Sequence, residues 1–256
     1  MKSGEDETDK ILFELSSTRR TAILNLIAGK DLRMQEVARK LDMNVTEAFR
    51  HLQRLSEAGL VWKKATGSYG LTPLGKLGMS LRSGFVFVSS NAEYFADHDV
   101  SSLPYEFIER IGELSEGEPS PNMISTMNYI DKMAQETQDH IWTISDQVQD
   151  SSAKIAIERM RRGEITLRLV LPEGYVSRYA PVAGVEDRIE RRYLPKISIG
   201  LGVTDKEAFV AFPSTKGALD YTGFTGRDPR FVKWARDLYL HEWDKAKPRR
   251  PMTSEY

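Results

Sequence analysis

The chain has 256 residues, 40% of them hydrophobic and 29% charged, with a formal net charge of −1. This length is typical of about two domains, and the composition excludes a disordered or collagen-like chain. Because cysteine is absent, disulfides, iron–sulfur clusters, thiolate-bound zinc and thiol catalysis are excluded. The acidic start, residues 1–10, lacks the pattern of a secretory signal, and the most apolar window, residues 84–88, is too short to span a membrane. We therefore expect a cytoplasmic protein without membrane contacts.

Positive charge is concentrated in the first third of the chain. Residues 19–82 carry 12 Lys or Arg against 5 Asp or Glu. A compact basic module favours a polyanion as its partner, although a merely solvated surface is the alternative interpretation.

The spacing of apolar residues predicts four short helices in this basic region. Two helices flank a break at residues 16–18, and the second is expected to end at Gly29 in a left-handed cap. A third covers residues 34–41. A fourth begins after Asn44, a good N-cap residue, and ends at Gly59. The third and fourth helices, separated by about three residues, are typical of a helix-turn-helix.

The fourth helix and the segment after it complete this pattern. Glu47 follows Asn44 by three residues, a spacing that predicts a capping box. Residues 60–71 are predicted to form a hairpin with Gly67 at its tip, and Lys63 and Lys64 lie on its outgoing strand. Such a hairpin after a helix-turn-helix is a wing.

The fourth helix is the candidate recognition helix. If Ala48, Leu52 and Leu55 face the core, helical periodicity places five other residues on or beside the opposite face. These candidate base-reading residues are Val45, Thr46, Phe49, Arg50 and Gln53.

Their chemistry fits the edges of base pairs in a major groove. Arg50 could bond guanine O6 and N7, Gln53 could read adenine, and Phe49 or Val45 could touch a thymine methyl group. For Arg50 and Arg54, the alternatives are phosphate contact or solvated charge. Phosphate contacts are also expected from residues that would position the protein without reading sequence: Arg33, Gln35, Lys63 and Lys64.

Three stretches in this region carry a family resemblance. SSTRRTAILNLI, MQEVARKLDMNVTEAFRHLQRLSEAGLVWKK and YGLTPLGKLG resemble the winged-helix regulators of archaea and bacteria related to the ArsR and TrmB groups. The resemblance covers about 70 residues and implies an N-terminal winged helix-turn-helix that binds double-stranded DNA.

A long linking helix is predicted to follow the wing. Pro73 fits its first turn, and an apolar stripe continues to about Ala96, formed by Leu74, Leu77, Leu81, Phe85, Val88 and Phe95. In winged-helix regulators this element commonly pairs with its symmetry mate, which implies a homodimer that presents two recognition helices to neighbouring half-sites. The alternative is packing against the protein's own second domain.

The remainder of the chain alternates between strand and helix patterns. Residues 105–114 predict a short helix, and SEGEPSP, residues 115–121, predicts a linker. Helices are then predicted at 122–138, 151–162 and 230–246, and strands at 140–145, 165–171, 188–193, 197–204 and 207–212. This order predicts a layered α/β domain.

This half resembles the effector-sensing domain of the archaeal methanogenesis regulatory protein family, a relative of the phospholipase-D-like sensor of TrmB regulators. The resembling stretches are LPYEFIERIGEL, IWTISDQV, GEITLRLVLPE, LGVTDKEAFVAFP and DYTGFTGRDPRFVKWARDLYLHEW. The fold class implied is therefore α+β or α/β: winged helix-turn-helix, long linking helix and C-terminal α/β sensor domain.

Catalysis is not expected. A phospholipase-type site needs a His nucleophile with Lys and Asp at H-x-K-x4-D spacing, and His98, His140 and His241 all lack that Lys. No metalloprotease, nucleophile-elbow or P-loop pattern occurs either. We expect no cofactor and no metal site.

A ligand pocket is expected instead, where polar residues gather at strand ends. The candidate ligand-binding residues are Trp142, Asp146, Gln147, Arg168, Arg192, Tyr193, Asp220 and Tyr221. Each one alone is more often structural. The pairs Arg161–Arg162 and Arg191–Arg192 could recognise an anionic effector, but solvated charge is the favoured interpretation.

The sequence therefore predicts a transcription regulator with a DNA-binding domain at residues 1–72, linking and dimerisation helices at 73–117, a sensor domain at 118–247 and a mobile tail at 248–256. Its expected partners are double-stranded DNA, a second copy and a small-molecule effector. The alternative is a protein-interaction module of the transcription machinery that uses its winged helix without binding an operator.

Overall fold

A computed structural model describes residues 2–175 and 183–248 of the chain. The chain divides into two compact units, residues 1–86 and 87–256. The segment predicted as a linker, residues 73–117, is divided between these units. Most of the predicted tail, residues 249–256, lies outside the described residues. Within the described ranges, no helix combines the length and apolar character needed to cross a membrane.

The first unit is a winged helix-turn-helix. Its three-stranded sheet is antiparallel, with strand order β1-β3-β2. The elements are α1 (Lys2–Ser16), α2 (Thr18–Ala28), β1 (Leu32–Arg33), α3 (Met34–Lys40), α4 (Val45–Glu57), β2 (Val61–Lys63), β3 (Ser68–Leu71) and α5 (Pro73–Ser90).

Apolar side chains at helical spacing build the core of this unit. Ile23, Val37, Leu52 and Leu55 are fully buried in it. The backbone N–H of Glu47 donates to Asn44 Oδ1 at 2.8 Å, which caps α4 as predicted. The predicted helix-turn-helix and wing are confirmed.

Helix α1 begins at Lys2, so the acidic start is part of it. Two local predictions for this unit were wrong. Gly29 has φ −87°, because the chain leaves α2 in right-handed backbone that any residue can adopt, whereas Gly59 has the expected positive φ of 70°. The carboxylate of Glu47 does not complete a capping box; it lies 3.6 Å from His51 Nε2.

The second unit contains a mixed eight-stranded sheet of order β11-β7-β6-β5-β8-β9-β10-β4. Strands β5, β6 and β7 are parallel, and the other pairings are antiparallel. The elements are α6 (Ala92–Asp97), α7 (Tyr105–Glu109), β4 (Glu118–Ser120), α8 (Met123–Glu136), β5 (His140–Ile144), α9 (Asp150–Arg161), β6 (Thr166–Pro172), β7 (Ile189–Leu194), β8 (Gly200–Thr204), β9 (Ala208–Ala211), β10 (Gly223–Gly226), α10 (Pro229–Lys245) and β11 (Lys247–Pro248).

Helices cover both faces of this sheet. Successive strand residues point to opposite sides, so neighbouring residues of one strand pack against different helices. On one face, Trp234 and Tyr239 of α10 pack in a large core with Val210. On the other face, Met133 of α8 packs with Phe209, the residue before Val210. The predicted layered α/β architecture is confirmed.

Two predictions in the middle of the chain are corrected by the structure. The expected helix to Ala96 ends at Ser90, because the side-chain amide of Asn91 donates to the carbonyl of Phe87 at 2.8 Å and takes the place of a backbone donor. The segment at residues 115–121, which was predicted to be a linker, contains edge strand β4, and this strand pairs with β10. Pro119 is compatible with a strand there, because an edge strand need not use every N–H.

Candidate nucleic-acid interface and ligand cavity

One face of α4 is exposed along its length. The predicted inward residues Ala48, Leu52 and Leu55 are fully buried. Val45 and Phe49 are 47% and 50% exposed, large values for apolar side chains. The face opposite the core is formed by the predicted set of Val45, Thr46, Phe49, Arg50 and Gln53, all of them exposed.

The polar residues on this face are available to a partner. No hydrogen bond or ion pair joins the Arg50 side chain to another described residue. Gln53 Nε2 donates to Glu57 Oε1 at 2.9 Å, an exposed contact that water can replace. Arg50 is therefore a cation on this helix face that has no ion-pair partner in the part of the chain that the structure describes.

Two of the predicted phosphate-contacting residues are already paired. Arg54 Nη2 lies 2.8 Å from Glu14 Oε1, and its guanidinium lies 5.1 Å from the centre of the Phe13 ring. Lys64 Nζ forms an ion pair with Asp31. Carboxylates from α1 and from the turn after α2 reach these two cations, so a DNA contact at either position remains a prediction that requires exchange of an ion pair.

The remaining predicted contacts lie at the surface. Arg33 and Gln35 are exposed at the start of α3. Lys63 is exposed at the end of β2, with Nζ 5.9 Å from the Tyr69 ring centre. These three side chains can reach a partner without breaking an ion pair with another described residue.

Sequence reasoning missed Trp62, which lies on β2 and is 49% exposed. The period-two alternation of a strand places it opposite the buried Val61, so the signal was present in the sequence. Gly70, the partner of Trp62 on β3, lets the Asp31 carboxylate approach the backbone closely, because a Cβ at this position would collide with Asp31 Oδ1. The wing thus presents an aromatic side chain beside Lys63.

In the second unit, the predicted ligand-binding residues do not converge on one site. Tyr221 donates a hydrogen bond to Asp146 Oδ1 at 2.5 Å and lies 2.6 Å from Ser145 Oγ. Burial, and then the neighbouring Asp146 carboxylate, raise the pKa of Tyr221. Its φ is 61°, which is unusual for an aromatic residue and indicates local strain.

A second group lies on the α10 side of the sheet. The Arg168 guanidinium is 5.5 Å from the Trp142 ring centre and 5.3 Å from that of Trp243. Arg168 also pairs with Glu190 at 2.9 Å, and Arg192 donates to the Trp243 carbonyl at 2.8 Å. These cations are satisfied by aromatic faces and by protein acceptors, which argues for a structural role.

The last two predicted residues are separate again. Tyr193 is buried, 6% exposed. Asp220 Oδ2 lies 3.1 Å from His98 Nε2. Partial burial opposes ionisation of Asp220, but hydrogen bonds from Thr222 and the nearby His98 lower its pKa below the ordinary value.

A cavity of about 290 Å³ lies on the sheet face covered by α8 and α9. Of the predicted residues, Gln147 and Tyr221 line it. Most of its wall is apolar, and the single charged residue among its described lining is Arg191. Arg191 Nε is buried and has no hydrogen-bond partner among the described residues. Arg191 is thus only partly exposed, and it differs from a fully solvated surface charge because it lines the cavity with its Nε buried.

Metal binding finds no support here. Among the described residues, no group of three or more His, Asp or Glu is placed to hold an ion.

Both units match known domain families. Residues 17–64 match the IclR helix-turn-helix domain, and residues 125–245 match the middle domain of the methanogenesis regulatory protein FilR1. The resemblance of the second half to a methanogenesis regulatory protein is confirmed. A comparison with the curated proteins found no match.

Several solved structures resemble the chain at low identity. TrmBL2, an archaeal chromatin protein, is 15% identical, with 91% of this chain and 94% of that one covered and a TM-score of 0.44. NucT from Helicobacter pylori is 11% identical, with 52% of this chain and 97% of that one covered and a TM-score of 0.39. The winged helix-turn-helix domain Mb0332 from Mycobacterium bovis, a possible ArsR-family regulator, is 22% identical, with 38% of this chain and 91% of that one covered and a TM-score of 0.31.

The winged helix-turn-helix and the two domain matches together support the assignment of the chain to one class of protein, the DNA-binding transcription regulators. One matched family is a helix-turn-helix domain, and the other is a domain of a regulatory protein.

Proposed function

We propose that the protein is a homodimeric, sequence-specific DNA-binding transcription regulator whose second unit senses a small molecule. The observation that carries the proposal is the exposed face of α4, where an unpaired Arg50 lies between apolar and amide side chains. An α-helix fits the major groove of B-DNA, and these side-chain types match the edges of base pairs.

Each residue has a distinct role in this proposal. Arg50 donates a bidentate pair to guanine, Gln53 reads adenine after releasing Glu57, and Phe49 contacts a thymine methyl group. Thr46 and Val45 lie at the start of the helix, the part of a recognition helix that contacts base edges. Arg33, Gln35 and Lys63 contact phosphates and set the register.

The DNA proposal is tested on an operator enriched from random-sequence duplex DNA with the full chain. Arg50→Ala is expected to weaken operator binding roughly 5- to 150-fold, the loss of one bidentate base contact, and to relax preference at one base pair. Arg236→Ala is the matched control, because Arg236 is an exposed arginine of the second unit. Unchanged affinity and unchanged base preference in Arg50→Ala would sink the proposal.

The dimer proposal rests on α5. Five apolar residues at three- and four-residue spacing lie along one exposed face: Leu74 (43%), Leu77 (56%), Leu81 (62%), Phe85 (75%) and Val88 (40%). A contiguous apolar stripe of this kind marks an interaction surface. A second copy is the proposed occupant, because a two-fold pair of recognition helices matches two half-sites of an operator.

Sedimentation of the full chain tests this interface. Leu81→Glu places a charge in the stripe and is expected to convert a dimer into monomers and to weaken operator binding. Ser80→Glu, at the preceding exposed position, is the control for added charge and should remain dimeric. A wild-type chain that is monomeric at micromolar concentration, or a dimeric Leu81→Glu, contradicts the interface.

The exposed Val45, Phe49 and Trp62 also favour a second candidate, a module that docks on a protein of the transcription machinery. The dependence of binding affinity on salt concentration distinguishes the DNA-binding regulator from the protein-docking module. DNA binding through phosphates falls steeply with added salt because counterions are released. A complex that an apolar surface holds with a protein changes little over the same range.

A further inference from the structure

The cavity of the second unit is long in the direction that crosses the strands. Its floor includes one laterally paired row of residues, one from each of five neighbouring strands: Arg191, Leu169, Thr143, Gly202 and Phe209. Four steps between strands, each of about 4.8 Å, extend roughly 19 Å. The space therefore fits an elongated molecule.

The walls of this space are apolar and adaptable. Met123, Met127 and Met133 contribute from α8, and Ala153 and Ala156 contribute from α9. Methionine side chains are flexible and adjust to the shape of an apolar guest. Gly202 has no side chain on the floor, and a Cβ added there would lie 3.8 Å from Met133 Cε, an ordinary van der Waals contact.

Arg191 stands at one end of the floor row. Among the described residues that line the cavity, Arg191 is the charged one. Its Nε is buried and has no hydrogen-bond partner among the described residues. The carboxylate of Glu186 feels its charge, but that carboxylate is exposed and accepts hydrogen bonds from Gly184 and Val185. The buried edge of the guanidinium thus lacks an acceptor.

Other polar groups of the cavity have partners, with one further exception. Ser145 and Tyr221 bond each other, and Tyr221 also bonds Asp146. Gln149 Nε2 donates to Asp131 Oδ1 at 2.9 Å, but Gln149 Oε1 is buried and unpaired. Buried polar atoms are normally satisfied. A charged donor left open beside an apolar space therefore points to a ligand that supplies the acceptor.

We infer that the cavity binds a fatty-acid-like carboxylate, with its anionic end on Arg191 and its alkyl tail along the floor toward Gly202 and Phe209. This inference deepens the proposed function, on which it rests, by naming the class of effector. A charge-assisted hydrogen bond from the guanidinium to a carboxylate offsets the burial of both charges. A monoanion fits better than a phosphate monoester, because one guanidinium neutralises one charge.

The test is calorimetric titration of the full chain with decanoate below its critical micelle concentration. We expect saturable binding, and we expect 1-decanol, which has the same tail without the charge, to bind at least tenfold more weakly. Arg191→Met should lose at least tenfold in decanoate affinity and keep its weak affinity for 1-decanol. Arg161→Met, an exposed arginine of the same unit, should behave like the wild type.

Filling the cavity is the second arm. Gly202→Leu and Thr143→Leu each place a larger side chain on the floor, and either variant that keeps the wild-type circular dichroism spectrum should lose both ligands. The inference is overturned by absence of decanoate binding, by equal binding of 1-decanol, or by an Arg191→Met variant with unchanged decanoate affinity.

Operator binding separates this inference from the proposed function. Decanoate binding that depends on Arg191 supports the site whatever its effect on DNA affinity. If that binding leaves operator affinity unchanged, sensing by this site fails and the site remains. If Arg50-dependent operator binding holds and decanoate does not bind, the inference alone fails.

Discussion

Two buried charged groups, one in each unit, have different surroundings. In the first unit, the Glu14 side chain is 5% exposed and forms ion pairs with Arg20, which is 8% exposed, and with Arg54 at 2.8 Å. In the second, Arg191 Nε is buried with no hydrogen-bond acceptor among the described residues. Removing one partner of a buried ion pair strongly destabilises a fold, and a buried donor without an acceptor costs stability from the start. The second kind is therefore the better guide to a ligand site.

The largest expected effect would break the compensated pair. Arg20→Met leaves the buried Glu14 with Arg54 alone and should lower the free energy of unfolding of the first unit by about 3–5 kcal/mol. Urea unfolding measures the change. Arg19→Met is the control: the Arg19 side chain is 57% exposed and lies 3.9 Å from Glu47, so its loss should cost under about 0.5 kcal/mol. Equal effects would contradict the comparison.

The second prediction concerns Arg191, whose buried Nε has no hydrogen-bond acceptor among the described residues. Without ligand, Arg191→Met should leave the free energy of unfolding unchanged or raise it by about 1–3 kcal/mol, because an unsatisfied buried donor is removed. Arg227→Met is the matched control in the same unit. Arg227 pairs with the buried Glu207 at 3.1 Å, so its loss should lower stability. A strong destabilisation by Arg191→Met would show that the guanidinium has a structural partner.

A third, smaller effect concerns Arg54, which the sequence suggests as a DNA contact and which the structure pairs with Glu14. Since its side chain is 48% exposed and Arg20 remains, Arg54→Met should cost up to about 1 kcal/mol of stability. It should also weaken operator binding less than Arg50→Ala does. A larger loss of operator affinity than that of Arg50→Ala would show that DNA displaces Glu14.

The smallest expected effect is at Asp220, outside the cavity lining. Its lowered pKa means that the ionised form is favoured in the folded state, so its stabilising contribution is present above the ordinary pKa of 3.8 and is lost as the pH falls through the lower folded value. Asp220→Asn should cost under about 1 kcal/mol near neutral pH, since the side chain is half-exposed.

Acid titration of stability checks this prediction. The difference between wild type and Asp220→Asn should shrink below pH 3.8. A difference that is constant from neutral to acid pH would show that the carboxylate charge has no part in it. Decanoate affinity should be unchanged in this variant, because Asp220 does not line the cavity.

Helix α4 and its exposed face were predictable because the information for them is local. The three- and four-residue spacing of Ala48, Leu52 and Leu55 identified the buried face, and the remaining face followed from helical geometry. The ion pairs of Arg54 and Lys64 were not predictable in this way. Their partners, Glu14 and Asp31, are 40 and 33 residues distant in the chain, and no pattern of spacing indicates such a contact.

The fold of the second half was also predictable in outline, since strands and helices alternate along the chain. Strand β4 was missed because its three residues lie in a segment rich in charge and proline, and pairing with β10 alone defines it as a strand. The break at Asn91 was missed because an asparagine in a helical pattern carries no sign of which backbone carbonyl its side chain will bond.

The amino-acid sequence by itself determined the winged helix-turn-helix, the exposed face of α4 and the layered α/β character of the second half, because each follows from local periodicity and capping. Tertiary structure alone decided the environment of neighbouring residues on β7. Arg191 and Arg192 are adjacent, but the period of two in a strand sends one under α8 and α9 and the other onto Trp243. The sheet face that meets Trp243 is set by the packing of α10, and the other face by the packing of α8 and α9. These helices come from distant parts of the chain.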